Sequence, residues 1–88
     1  MKCTISLSKI YNPDDFYDRL ETHIDIPPYF GRNLEDLRDV FKLVNEDTEI
    51  IFTDTAEAEV MMSKYMKNLK RVCVAACEEN DKLRICFE

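Results

Sequence analysis

Three segments of the chain have side-chain patterns that predict β-strands. Residues 2–7 alternate polar and apolar side chains, and the β-branched Thr4 and Ile5 favour an extended backbone. Residues 49–53 are β-branched and nearly all apolar, as in a strand that is covered on both faces. In residues 82–88, Leu, Ile and Phe alternate with Lys, Arg and Glu, which predicts a third strand.

The first helix is predicted from about Pro13 to His23. Asn12 can cap this helix, and proline at the first helical position and acidic residues in the first turn are typical of a helix start. Residues 25–32 follow, with two of the three prolines and the only glycine, Gly31. We predict an ordered loop that carries exposed aromatic side chains, with a special backbone angle at Gly31.

The second helix begins after Asn33, which can cap it, with Asp36 in the reciprocal position of a capping box. The stripe predicted to face the core consists of Leu34, Leu37, Phe41 and Val44. The opposite face carries the charged side chains of Glu35, Arg38, Asp39 and Lys42. Because Glu35 and Asp39 are one turn apart, their carboxylates can point the same way from a rigid element.

A third helical segment starts after Asp54, which is followed by Glu57 in a pattern typical of a helix start. Its apolar stripe continues to about Glu78, so it is either one helix or two, which would meet near Lys67–Asn68. The order of elements requires crossovers between parallel strands. We therefore predict an α/β fold of two layers, a three-stranded parallel sheet with three or four helices packed mainly on one face.

Length and charge narrow the functional classes. The 88 residues fit one domain over residues 1–88, and 45% of them are hydrophobic, enough for a core. The net charge of −6 disfavours contact with nucleic acid or an anionic membrane. Residues 1–60 hold 14 acidic and 6 basic side chains, a net of −8, whereas residues 61–88 hold 4 and 6, a net of +2. We therefore expect a cationic partner that binds the acidic part.

Few residues offer the chemistry of an enzyme or a cofactor site. The four cysteines form no C-x-x-C pair, and His23 is the only histidine, so neither a zinc site nor a catalytic histidine cluster is predicted. A single glycine excludes a Gly-rich phosphate loop. We expect no cofactor, no metal and no catalysis, with the cysteines reduced and serving as small apolar side chains. Without a signal peptide or an apolar run of about 20 residues, we expect a cytoplasmic protein.

The loop of residues 25–32 provides the most informative candidate contacts. Tyr29 and Phe30 lie in a proline-constrained loop beside an acidic helix, where aromatic side chains supply contact area at low entropic cost. The alternative for Phe30 is that it packs beneath the loop. An interaction module with a basic partner is thus favoured over a small enzyme, for which the residue types are lacking.

Residues 26–39, Ile-Pro-Pro-Tyr-Phe-Gly-Arg-Asn-Leu-Glu-Asp-Leu-Arg-Asp, closely resemble the signature of the barstar family, intracellular inhibitors of the ribonuclease barnase and its relatives. The chain length, the early strand and the apolar strand at residues 50–52 also resemble the family layout. This resemblance implies a 1:1 complex in which the loop and the second helix plug the basic active site of a ribonuclease. The expected function is that of an immunity protein, with no contact to nucleic acid or membrane.

The resemblance also implies individual roles. Asp39 matches the family's acidic residue that occupies the position of a substrate phosphate, and Tyr29 matches its aromatic contact from the loop. Glu35 stands where the family usually has Asp. The expected partner-binding surface comprises Tyr29, Phe30, Gly31, Asn33, Glu35, Arg38, Asp39 and Lys42.

Two positions depart from the family pattern. Arg38 replaces a tryptophan of the best-known member and places a positive charge beside Asp39, and Ala75 aligns with a glutamate that contacts the enzyme in that member. A cation beside the principal carboxylate can change partner choice. The cognate enzyme therefore need not be barnase, and the alternative is an acidic module that neutralises a different nuclease toxin or basic protein.

Overall fold

The structure is a computed structural model that covers residues 1–88 and contains three strands and four helices. In chain order these elements are β1 (Lys2–Ser6), α1 (Pro13–His23), α2 (Leu34–Lys42), β2 (Thr48–Thr53), α3 (Thr55–Met61), α4 (Ser63–Glu79) and β3 (Leu83–Phe87). The strand order is β1-β2-β3, and both pairings are parallel. Cys3, Ile50 and Ile85 lie side by side across the sheet. The predicted α/β class and three-stranded parallel sheet are therefore confirmed.

The sheet buries one face and leaves the other open. Ile50 and Phe52 on β2 are buried, whereas Ile51 between them is only half-buried. On the open face, the ammonium of Lys2 lies 3.9 Å from the carboxylate of Glu49 on the neighbouring strand. The prediction that this strand is covered on both faces is wrong, because the helices pack on one side of the sheet and solvent reaches the other.

Aromatic side chains form the centre of a core of 16 buried apolar residues. The ring of Phe52 lies 5.9 Å from the ring of Phe16 on α1 and stacks at 5.2 Å on Phe87 of β3. Phe16 in turn contacts Tyr17 edge-on at 5.1 Å. These contacts join α1, β2 and β3, so the layer that carries α1 is held rigidly on the sheet.

The third helical segment is two helices, and they meet at Met62 rather than near Lys67–Asn68. Met62 leaves the helical backbone region with φ −149° and ψ 62°, and its side chain packs against the core. Asp54 stands at the start of α3 but does not cap it: its backbone is left-handed at φ 58°, and its carboxylate accepts a hydrogen bond of 2.6 Å from Ser6 Oγ. Glu57 also binds outside the helix, because its Oε1 accepts a 3.0 Å hydrogen bond from the Lys9 N–H, so neither acidic side chain caps α3. None of the four helices combines the length and apolar character needed to cross a bilayer.

We predict that Cys73 resists alkylation in the folded protein while the exposed Cys86 reacts. Burial, with a smaller contribution from Cys77, raises the pKa of Cys73 to about 12. Because the thiolate is the nucleophile, iodoacetamide at pH 8 should modify Cys73 at least about 100-fold more slowly than Cys86, as mass spectrometry would show. In urea the two rates should converge. Equal rates in the folded protein would contradict a buried, protonated Cys73.

Candidate partner-binding surface

The loop that joins α1 to α2, residues 24–33, turns at Arg32 rather than at Gly31. The left-handed backbone angle falls on Arg32, with φ 55°, and Gly31 does not have a positive φ, so the predicted special angle at the glycine is wrong. At Gly31 a larger residue would displace the Asp36 carboxylate from its hydrogen bond to the backbone. A Cβ atom there would lie 2.4 Å from Oδ2 of Asp36, the same oxygen that accepts a 2.6 Å hydrogen bond from the Gly31 N–H.

The first turn of α2 is tied to this loop. Asn33 caps the helix as predicted, because its Oδ1 accepts a 2.9 Å hydrogen bond from the Asp36 N–H. The reciprocal half of the predicted capping box is absent, since the Asp36 carboxylate binds the Gly31 N–H and not that of Asn33. Asp36 therefore joins loop and helix, which fixes the direction in which α2 leaves the turn.

Arg32 ties the same loop to α1. Its Nη2 donates to the Asp14 carbonyl oxygen at 2.9 Å and to Oδ1 of Asp18 at 2.5 Å, and its Nε lies 3.7 Å from Oε1 of Glu21. The hydrogen bond to Asp18, together with the charges of Asp18 and Glu21, raises the pKa of Arg32 above the ordinary value of an arginine. Asp14 and Asp18 lie 18 and 14 residues from Arg32 in sequence, where no local pattern indicates the contact.

The two loop aromatics have different environments. Tyr29 is 77% exposed, whereas Phe30 is half-buried and contacts the ring of Tyr17 edge-on at 5.4 Å. The hydroxyl of Tyr17 is hydrogen-bonded to that of Tyr65 on α4, and burial together with this bond raises the pKa of Tyr17. Phe30 thus packs beneath the loop, and Tyr29 projects into solvent.

Loop and helix together form a cavity of about 280 Å³. It is lined by Tyr29, Phe30, Asp36, Asp39, Val40 and Leu43. Three of the predicted surface residues, from the loop and from α2, therefore meet at one place. Val40 and Leu43 were not among the residues that the sequence pattern predicted for this surface. Val40 and Leu43 are apolar, three positions apart and beside the stripe of Leu37 and Phe41, and this second apolar pair was the available signal.

The charged face of α2 is divided into two parts. Glu35 and Asp39, the acidic pair, are exposed, and neither forms an ion pair within the chain. Arg38 and Lys42 both reach Glu79 at the end of α4, and these three residues form the cationic cluster. Arg38 Nη2 binds Glu79 Oε1, and Lys42 Nζ lies 3.4 Å from Glu79 Oε2. Glu79 was not among the residues predicted from the sequence.

A comparison with protein-family models matches residues 1–88, the whole chain, to the family described as Barstar (barnase inhibitor). The chain belongs to the barstar family. A search of curated proteins found no match. The resemblance on residues 26–39 thus extends over the complete sequence, and the barstar family is one of ribonuclease inhibitors rather than of enzymes.

In this member of the barstar family, seven of the eight expected contact residues occupy three places. Tyr29, Phe30 and Asp39 surround the cavity, Gly31 and Asn33 shape the start of α2, and Arg38 and Lys42 lie at the α2–α4 junction. Glu35 is exposed one turn before Asp39. Ala75 is half-buried on α4, one turn before Glu79, so the junction has one carboxylate and no second acid at residue 75.

Proposed function

We propose that this barstar-family protein inhibits a barnase-type ribonuclease by covering the enzyme's basic active site with the α1–α2 loop and the exposed face of α2. The observation that carries the proposal is the position of Asp39: an exposed carboxylate without an ion pair, beside Tyr29 and the cavity, on a helix whose first turn is fixed by Asn33 and Gly31.

The physical basis is mimicry of charge. A ribonuclease concentrates cationic side chains to bind the phosphodiester and to stabilise its transition state. A carboxylate held on a rigid element can pair with those cations without offering a bond to cleave, so binding competes with RNA. The net charge of −8 in residues 1–60 adds long-range attraction for a basic enzyme.

Rigidity of the surface supports tight binding. The loop is held on one side by Arg32, bound to α1, and on the other by Asp36, bound to the Gly31 N–H. A surface that is already ordered loses less conformational entropy when it binds. The proposed inhibitor therefore presents Tyr29 and Asp39 in one fixed arrangement.

Titration calorimetry against a barnase-type ribonuclease, combined with an RNA-cleavage assay, tests the proposal. We expect a 1:1 complex, loss of cleavage in proportion to the inhibitor added, relief of inhibition by excess RNA, and weaker association as the salt concentration rises. Absence of binding would contradict the proposal, and so would a complex that still cleaves RNA at the uninhibited rate.

Arg32→Ala tests whether Arg32 matters for binding as a clamp, meaning the contacts with Asp14 and Asp18 that hold the loop on α1, or only as a surface charge. Loss of the charge alone makes the surface more acidic and should strengthen the binding of a basic enzyme, whereas loss of the clamp frees the loop and should weaken it. We expect the clamp to dominate, with Kd raised about tenfold in calorimetry. The matched control is Arg84→Ala, which removes an exposed arginine without an ion pair on the open face of the sheet. Tighter binding of both variants would contradict the clamp.

A second candidate is an acidic module that neutralises a different nuclease toxin or basic protein. The observation in its favour is the cationic cluster, because Arg38 and Lys42 beside Asp39 oppose contact with a uniformly basic site. A panel of basic nucleases of different folds, assayed with the barnase-type enzyme, separates the two. Inhibition of another nuclease, and not of the barnase-type enzyme, would favour this candidate.

A further inference from the structure

The cationic cluster at the α2–α4 junction contains more positive than negative charge. Arg38 and Lys42, one turn apart on α2, share the single carboxylate of Glu79, and neither has another carboxylate within ion-pair distance. Their side chains are 43% and 48% exposed. The cluster therefore presents one uncompensated positive charge to solvent, on the side of α2 that faces α4.

This charge adjoins the acidic pair. Successive residues of a helix are rotated by about 100°, so Lys42 and Glu35 lie at nearly the same angle, between Arg38 and Asp39. Because Lys42 lies one turn after Asp39 and at the angle of Glu35, a partner that covers the acidic pair also meets the cluster. The inhibitory surface is thus bipolar, negative at Asp39 and positive at the junction with α4.

Covering the cluster would remove the uncompensated charge from water. An unpaired charge is costly to bury, and a like charge opposite it adds repulsion, whereas a carboxylate opposite it supplies the missing partner. The intramolecular contact to Glu79 does not remove this requirement, because two cations share one anion.

We propose that the cognate ribonuclease presents a carboxylate against Arg38 and Lys42, at the rim of the basic cleft that receives Asp39. This inference rests on the proposed function and specifies the partner: an enzyme with a cationic centre and an acidic residue on one side of it. Arg38 and Lys42 then determine specificity, because they exclude ribonucleases whose rim is basic at that place.

A display selection tests this with matched baits. The library is a barnase-type ribonuclease, inactivated at its catalytic residues and randomised along the rim of its cleft. One bait is the natural chain. The other is the triple variant Arg38→Glu, Lys42→Glu, Glu79→Lys, which reverses each charge of the cluster. Two carboxylates on α2 then share one ammonium on α4, so the contact between the helices is retained. Circular dichroism and urea unfolding check that both baits fold.

The natural chain should enrich Asp or Glu at one or two adjacent rim positions, and the triple variant should enrich Lys or Arg at the same positions. Crosswise calorimetry of the selected enzymes should give matched pairs at least about tenfold tighter in Kd than mismatched pairs, about 1.4 kcal/mol. The crosswise comparison cancels the difference in net charge between the baits.

Enrichment of the same residues by both baits, or matched and mismatched Kd values within about twofold, would overturn the inference while leaving inhibition intact. If neither folded bait retains any ribonuclease from the library, the proposed function itself fails, and the inference fails with it. The two failures are therefore distinguishable.

Discussion

Asp39→Ala should weaken binding to a barnase-type ribonuclease more than any other single truncation on the surface. The carboxylate is exposed and unpaired in the free protein, so in the proposed complex its partners are the cations of the enzyme, which the variant leaves buried and unpaired. The expected cost is about 2 to 5 kcal/mol or more, a range that comes from barnase and its own inhibitor. This corresponds to a rise in Kd of roughly 30-fold to several thousand-fold, measurable by calorimetry.

Asp81→Ala is the matched control. Asp81 is an exposed aspartate in the turn between α4 and β3 and is not among the expected contact residues, so its removal changes the net charge equally without removing such a contact. We expect only the small loss that reduced long-range attraction causes. Similar losses for the two variants would show that net charge, and not the position of Asp39, accounts for binding.

The sequence predicted the elements of the fold because each has a local cause. Asn12 and Pro13 start α1, and α1 spans Pro13–His23 as predicted. The alternating pattern near the C-terminus predicted β3, which the structure places at Leu83–Phe87. Asn33 caps α2 as predicted. These features depend on residues a few positions apart, so they can be read from the order of side chains.

What the sequence could not predict depends on contacts between distant residues. The contact of Arg38 with Glu79 spans 41 positions, and that of Arg32 with Asp18 spans 14. A helical pattern places Arg38 on the polar face of α2 but does not say which neighbouring helix lies beside it. Gly31 is a separate case, because Asp36 is only five positions away. A loop glycine is typical of both a special backbone angle and a close approach, and the pattern did not show that the Asp36 carboxylate lies against it.

The exposure of one face of the sheet also could not be predicted from local sequence. A run of apolar residues in a parallel strand is typical of burial on both faces. In β2 the run contains Ile51, whose side chain faces the open side and is half-buried, so hydrophobicity alone did not identify the side that the helices cover. Whether helices cover one face of a strand or both depends on the side of the sheet on which each crossover helix packs, and this is a property of the whole chain.

Phe52→Ala should be among the most destabilising single substitutions. Phe52 is fully buried near the C-terminal end of β2, the middle strand of the sheet, between the ring of Phe16 and the stacked ring of Phe87. Its truncation removes apolar burial and leaves a cavity between rigid elements, at an expected cost of about 3 to 5 kcal/mol in the free energy of unfolding, measured by urea denaturation. A domain of this size has a total stability of about 4 to 13 kcal/mol, so the variant would lose a large fraction of it.

Ile51→Ala provides the comparison within the same strand. Its side chain is half-buried on the open face, where solvent can fill the space that the truncation leaves, so no cavity forms and only part of the transfer free energy is lost. We expect about 1 kcal/mol. Position along the strand cannot account for a threefold difference, because the two residues are adjacent in β2. The difference follows from the larger side chain of Phe52 and from the buried side of the sheet on which it lies. Equal losses would mean that the open face is covered in solution.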